Sequence, residues 1–264
     1  MNALFSVLSI LAILSISMKE IAIHQIDDQV TFTVIYDNTS SSPEYEADWG
    51  FACLIEGKEK TILFDTGSNP NIFRENLEKL NIDLNMIDLV VISHNHGDHT
   101  GGLPVILEKR NDMPLYIPAS VEDNFLARFS KFESQSIGVS NSIKLCDGAI
   151  LTGEMGDRLK EQSLIIETPK GLVVVCGCSH QGVDNILKRT KELSVQEIYL
   201  LFGGFHLLRH SEDQVDGIIN EFRKAGVKFC GATHCTGENA IEMFSEAYGD
   251  NFVPMGSGKK IVIP

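Results

Sequence analysis

Ser93-His94-Asn95-His96-Gly97-Asp98-His99-Thr100-Gly101-Gly102 follows without a break on the apolar run Leu89-Val90-Val91-Ile92. Four consecutive apolar, mostly β-branched residues read as a strand buried on both faces. The ten residues after it carry three of the chain's eight histidines and an aspartate, set among small residues that permit tight turns. A solvated loop has no reason to place such a cluster at the end of a buried strand, so the cluster reads as a metal site. An extended His-x-His pair turns both imidazoles, His94 and His96, to one side. Asp98 and His99, further round the turn, then face a second ion. Neutral imidazole with carboxylate oxygen suits Zn²⁺ first, and Mn²⁺ or Fe²⁺ after it.

The same arrangement recurs along the chain. Leu172-Val173-Val174-Val175 leads into Cys176-Gly177-Cys178-Ser179-His180, Tyr199-Leu200-Leu201-Phe202 into Gly203-Gly204-Phe205-His206, and Val227-Lys228-Phe229-Cys230 into Gly231-Ala232-Thr233-His234. A further short strand, Thr61 to Phe64, ends at Asp65-Thr66-Gly67. In layered α/β folds the ligand crevice lies beyond the carboxyl ends of the strands, so these polar groups are expected to converge on one edge. One cluster has too few side chains for two ions, which makes His180 and His234, at equivalent strand ends, the candidates to complete them. His206 is left open between ligand, substrate contact and structural hydrogen-bonder. His24 and His210 are expected at the surface.

Around this core, apolar β-branched runs alternate with helical patterns from Val30 onward, the habit of a layered α/β domain with no linker to split it. Strands are expected at Val30 to Tyr36, Ala52 to Leu54, Thr61 to Phe64, Leu89 to Ile92, Leu164 to Glu167, Leu172 to Val175, Ile198 to Phe202, Val227 to Cys230 and Lys260 to Ile263. Helices are expected at Ile72 to Leu80, Val121 to Phe129, Val183 to Leu193, Val215 to Ala225 and Glu238 to Ala247. Ser130 to Ser163 reads as loop-rich and as a segment that could face substrate, with Glu154, Arg158 and Lys160 as candidate contacts. The helices that follow Gln181-Gly182 and Thr236-Gly237 begin beside candidate ligands, where free N–H groups attract phosphate. Thr236 is in addition a natural helix cap.

Of 264 residues, 22 are Lys or Arg and 36 Asp or Glu, a formal charge of −14. That balance repels phosphate backbones and argues against a nucleic-acid partner or a nuclease. A small-molecule substrate is the expected partner, and the sequence leaves a homo-oligomer open. The six cysteines lie in apolar runs and do not form a disulfide framework. Cys176 and Cys178 read as buried thiols outside the ligand set. A non-catalytic metal-binding or redox module remains a rival reading, and it requires a partly exposed thiolate there. Residues 1 to 17 are apolar and uncharged, shorter than the roughly 20 residues of a spanning helix. They read as a signal or anchor, which implies export or membrane association, or as sequence before a start at Met18, which implies a cytoplasmic protein of residues 18 to 264.

His94-x-His96-x-Asp98-His99 with His180, His234 and the FDTG turn at Phe64 to Gly67 resembles the metallo-β-lactamase superfamily, over nearly all of Val30 to Ile263. The resemblance implies a single-domain αββα sandwich and one or two Zn²⁺ ions. It assigns His94, His96 and His180 to one ion, Asp98, His99 and His234 to the other, and Asp65 to orienting a ligand histidine. It also implies attack by a metal-activated hydroxide on a small anionic or phosphorylated substrate, with Asp98 holding and deprotonating the nucleophile. Thr152-Gly153-Glu154, Gly177-Cys178-Ser179-His180-x-Gly182, Gly203-Gly204-Phe205-His206-Leu207 and Thr233-His234-Cys235-Thr236-Gly237-Glu238 narrow the match. They are similar to the branch named for 7,8-dihydropterin-6-yl-methyl-4-(β-D-ribofuranosyl)aminobenzene 5′-phosphate synthase. That branch implies, as the alternative, a pterin-methyl transfer that releases diphosphate. Where hydrolases of the superfamily place an aspartate bridging both ions, this chain has Gly203-Gly204, which implies a looser second ion or one held by His206.

Overall fold

Side chains alternate between two apolar environments along nearly every central strand, as the two-residue repeat of a strand requires. Leu89 and Val91 enter one core while Val90 enters another; Val173 and Val175 share the first core with them, while Leu172, Val174 and Cys176 face a third. Strands buried on both faces need a layer on either side, and the chain supplies two sheets and two helical layers.

The computed structural model describes residues 29–130 and 136–264. In chain order the elements are β1 (Val30–Tyr36), β2 (Ala52–Glu56), β3 (Ile62–Phe64), α1 (Pro70–Lys79), β4 (Leu89–Val91), α2 (Gly97–Thr100), α3 (Leu103–Leu107), β5 (Leu115–Pro118), α4 (Glu122–Arg128), β6 (Ser136–Val139), β7 (Asn141–Cys146), β8 (Ala149–Gly153), β9 (Leu164–Thr168), β10 (Gly171–Cys176), α5 (Val183–Leu193), β11 (Ile198–Gly204), α6 (Glu212–Lys224), β12 (Phe229–Thr233), α7 (Glu238–Tyr248) and β13 (Lys260–Ile263). One sheet runs β13-β1-β2-β3-β4-β5-β6 and the other β12-β11-β10-β9-β8-β7. β3, β4, β5 and β6 are parallel, as are β10, β11 and β12, so the strands carrying the polar tails point the same way within each sheet.

The sheets meet through aromatic contacts: the Phe202 ring lies 5.7 Å from Phe32 and 6.4 Å from Phe51. Helices α1 and α3 cover the first sheet, and α5, α6 and α7 the second. Each fully buried Val, Leu, Ile or Phe contributes about 1.5–3 kcal/mol, whereas an exposed pair such as Lys144–Asp147 is screened by solvent and adds little. Packing between layers therefore holds the sandwich together. This is the single-domain αββα fold expected from the sequence.

Helix starts follow local chemistry. Asn69 caps α1 with Pro70 in its first turn, and Ser211 and Gln214 form a capping box on α6, so both helices begin earlier than the apolar periodicity alone predicts. The loop expected over Ser130 to Ser163 is corrected: β6, β7 and β8 lie within it and finish the edges of the two sheets. β6 and β7 are half-exposed, so their polar positions hide the apolar run that marks a buried strand. The expected leader at 1–17 and His24 lie outside the described residues. Among the described residues no helix is long and apolar enough to cross a membrane.

Candidate metal centre

Four of the five non-glycine residues with positive φ among those described sit at the strand ends in question: Asp65 (φ 58°), Ser179 (φ 60°), His206 (φ 55°) and His234 (φ 53°). Such left-handed conformations cost energy for residues with a Cβ and cluster at functional sites. Here each one turns the chain sharply as it leaves a strand. Close approach matters as well. A side chain at Gly101 would overlap the Ser68 carbonyl, so the turn after His99 needs that glycine to pack against the loop after Asp65.

The structure brings His94, His96 and His180 into one group whose donor atoms lie within 4.8 Å of one another. His94 Nε2 lies 3.1 Å from His96 Nδ1, as the His-x-His spacing requires. His180 Nε2 is buried and has no hydrogen-bond partner among the described residues. Burial, reinforced by the neighbouring histidines, holds His94 well below the ordinary imidazole range and brings His180 down to about 4. Both rings are therefore neutral, the form a metal requires.

Asp98, His99 and His234 form a second group, again within 4.8 Å. His99 Nε2 and His234 Nε2 lie 3.7 Å and 3.4 Å from Asp98 Oδ2. Burial opposes the charge on Asp98, but the His234 hydrogen bond and the charge of His99 outweigh it and hold the carboxyl far below its usual range. Burial likewise opposes protonation of His99, yet the Asp65 and Asp98 carboxylates raise it to about 9.

Asp65 lies behind both groups. Its carboxylate accepts from the backbone N–H and hydroxyl of Ser93, each at 2.7 Å, and its Oδ2 lies 2.7 Å from His99 Nδ1. Ser93 Oγ in turn lies 2.9 Å from His94 Nδ1. Asp65 thus touches His99 directly and His94 through Ser93.

Several expectations are corrected. Cys178 is buried as expected but does not stand apart from the ligands: its Sγ lies 3.2 Å from His99 Nε2 and 3.3 Å from His234 Nε2. The turn after Gly177 carries it there. His206 does not join the second group. It is exposed, its ring centroid lies 4.3 Å from His180, and its donor atoms group with Cys178 and Cys235. Thr236 does not cap α7, because its Oγ1 accepts from Phe205 N–H at 3.0 Å and Gly237 occupies the cap position. Glu154 accepts from Ser120 N–H at 3.0 Å, and Lys160 donates to the Gly156 carbonyl, so both are engaged within the fold. Arg158 lines a cleft of about 760 Å³ with His180, Lys188 and Arg189. Cys176 is fully buried and desolvation lifts its thiol to about 12, which weighs against redox chemistry there. His210 is exposed, as expected.

Three contributors escaped sequence reasoning. Glu161, fully buried, accepts three backbone N–H bonds, from Cys178 (2.7 Å), Ser179 (2.8 Å) and His180 (2.9 Å), and so fixes the turn that presents His180. Burial raises it to about 7 against those three bonds. Trp49 Nε1 donates to Asp98 Oδ2 at 2.8 Å, and Asn38 Oδ1 lies 2.8 Å from His234 Nδ1. The last two lie between β1 and β2, where no local motif marks them; the single Trp of the chain was the only available signal.

These donor sets, three imidazoles in one group and a carboxylate with two imidazoles in the other, match the nitrogen and oxygen donors that divalent metal ions take. Comparison with known proteins agrees. The profile of the metallo-beta-lactamase superfamily matches residues 50–257. The 7,8-dihydropterin-6-methyl-4-(beta-D-ribofuranosyl)-aminobenzene-5'-phosphate synthase of Methanocaldococcus jannaschii is 29% identical, covering 90% of this chain and 98% of that protein. An uncharacterized protein of the same organism is 31% identical over 87% of this chain and 99% of its own length. Among solved structures, Tm1679, described as a metal-dependent hydrolase of the beta-lactamase superfamily, superposes with a TM-score of 0.75 at 27% identity, covering 88% of this chain and 98% of that one. A match across most of the chain, on a sandwich with metal-binding groups at its strand ends, establishes that this protein belongs to the metallo-beta-lactamase superfamily and is one of its enzymes, a hydrolase or transferase.

Proposed function

We propose that this enzyme is a hydrolase of a small anionic substrate, with one divalent ion held by His94, His96 and His180 and a second by Asp98, His99 and His234. The observation that carries the reading is the position of His180: it belongs to the three-histidine group and also lines the cleft that contains Arg158, Lys188 and Arg189. A divalent ion in that group supplies a Lewis acid and lowers the pKa of water to about 7.

The protein's own groups do the rest. Lys188 is paired with Asp184 at 3.3 Å, and Arg189 with Glu192 at 3.0 Å. Arg158 has no ion pair among the described residues, which leaves its guanidinium to hold the anionic part of the substrate. Trp49, His99 and His234 all address Asp98 Oδ2, which holds that carboxylate in place. Glu161 keeps His180 at the mouth of the cleft, so the substrate is oriented before reaction.

Zinc is the favoured ion for three imidazoles, with Mn²⁺ or Fe²⁺ as substitutes. The test is hydrolysis of phosphodiester, lactone and thioester substrates with and without added Zn²⁺ or Mn²⁺. Turnover of one class that depends on metal supports the reading. A second reading, transfer of a pterin-methyl group with release of diphosphate, draws on similarity to the archaeal synthase over 98% of that protein's length. Product formation from a pterin diphosphate and a phosphorylated aromatic amine, with no hydrolysis in the first assays, would select it.

A further inference from the structure

Cys178 is fixed by the same clamp that fixes His180, because Glu161 accepts the N–H of both residues. Its Sγ lies 3.2 Å from His99 Nε2 and 3.3 Å from His234 Nε2, and those nitrogens lie 3.7 Å and 3.4 Å from Asp98 Oδ2. Zinc bonds of about 2.0–2.2 Å to nitrogen or oxygen and about 2.3 Å to sulfur, arranged tetrahedrally, place neighbouring donors roughly 3.3–3.6 Å apart. The four observed separations straddle that range. The outer nitrogens of both rings are engaged, His99 Nδ1 at Asp65 and His234 Nδ1 at Asn38, so both Nε2 atoms face inward.

The end of β11 leaves no room for a side chain. A Cβ at Gly204 would stand 2.5 Å from the Gly177 carbonyl oxygen, 2.6 Å from Cys235 Sγ and 3.1 Å from His234 Cδ2.

We infer that Cys178 is the fourth protein donor to the ion of Asp98, His99 and His234, closing that site with a thiolate while the three-histidine site stays open. The inference rests on the proposed reading that these residues hold ions. On binding, the S–H bond breaks, a metal–sulfur bond forms and the proton leaves to solvent. A closed four-donor set is the form of a structural ion, and an open three-donor set that of a catalytic one. The competing arrangement is a thiolate site of Cys178, His206 and Cys235, whose donors also lie within 4.8 Å of one another.

The test reconstitutes the metal-free full chain with Co²⁺ and reads the near-ultraviolet thiolate-to-cobalt charge-transfer band alongside bound cobalt per chain. The expected result is a band in the wild type that persists in Cys235→Ser and His96→Ala and is lost completely in Cys178→Ser, with far-ultraviolet circular dichroism showing that variant folded. Cobalt bound by the wild type with no such band overturns the inference while leaving the proposed ion binding intact. A band lost in Cys235→Ser and kept in Cys178→Ser also overturns it, assigning the thiolate to Cys235. No cobalt bound at all overturns the inference and the proposed function together. The wild-type and Cys235→Ser spectra decide even if Cys178→Ser fails to fold.

Discussion

The two donor groups share one edge of the sandwich yet are built to different standards. In the group of His94, His96 and His180, His96 is exposed, His180 Nε2 has no hydrogen-bond partner among the described residues, and a cleft opens beside it. In the group of Asp98, His99 and His234, both imidazoles are buried, each has its outer nitrogen anchored by a side chain, and a thiol completes the ring. An open side lets substrate reach an ion, and anchored ligands keep one in place. The contrast suggests that the edge divides the labour, with one site for chemistry and one for holding the turns together.

Removing a donor from the open group should do the most damage. His94→Ala or His180→Ala is expected to strip the ion from that group and reduce kcat/KM to background. That loss should exceed the roughly 10–100-fold cost typical of losing a residue that merely orients a ligand. Metal analysis and turnover of the purified variants check it; retained turnover would remove the open group from the chemistry.

Glu161→Ala strikes both groups, because the turn it clamps carries Cys178 and His180. Three buried N–H groups lose their acceptor, each at a cost of about 1–3 kcal/mol. A clear fall in the urea unfolding midpoint is expected, together with loss of both ions. If the midpoint falls and metal content stays intact, the clamp is structural only.

Asp65→Asn sharpens the comparison, since Asp65 touches His99 directly and His94 only through Ser93. Metal affinity should fall about 10–100-fold, more in the second group than in the first. A competition titration with a chromogenic chelator resolves the two steps. Equal losses at both sites would show that Ser93 transmits the full effect.

The smallest expected effect belongs to Arg158→Ala. Loss of one charge-assisted hydrogen bond, about 1.5–3 kcal/mol, should raise KM for an anionic substrate about tenfold or more and leave kcat and metal content nearly unchanged. Steady-state kinetics check this, and an unchanged KM would move the anion site elsewhere.

Much of this arrangement was legible in the sequence because it is local. Buried parallel strands announce themselves as apolar runs, and the residues just beyond them, His94, His96, Asp98, His99, His180, His234 and Asp65, inherit a common edge from strand direction. What was not legible depends on contacts distant in sequence. Glu161 is one acidic residue in a polar stretch, and only the fold brings it beneath residues 178–180. Asn38 and Trp49 reach the site from the connection between β1 and β2. Cys178 was read as core because it follows an apolar strand. Yet it stands two residues before His180, the same spacing as His94 and His96, and that repetition was the available signal. The edge strands β6 and β7 were hidden by their half-exposed residues.

Whether metal held at this edge performs the chemistry is decided by elemental analysis of protein purified without added metal, paired with hydrolysis assays before and after chelation and after return of Zn²⁺ or Mn²⁺. About two ions per chain are expected, one for each donor group, with turnover that disappears on chelation and returns with metal. A chain that binds no metal and turns over no substrate after reconstitution would contradict that expectation.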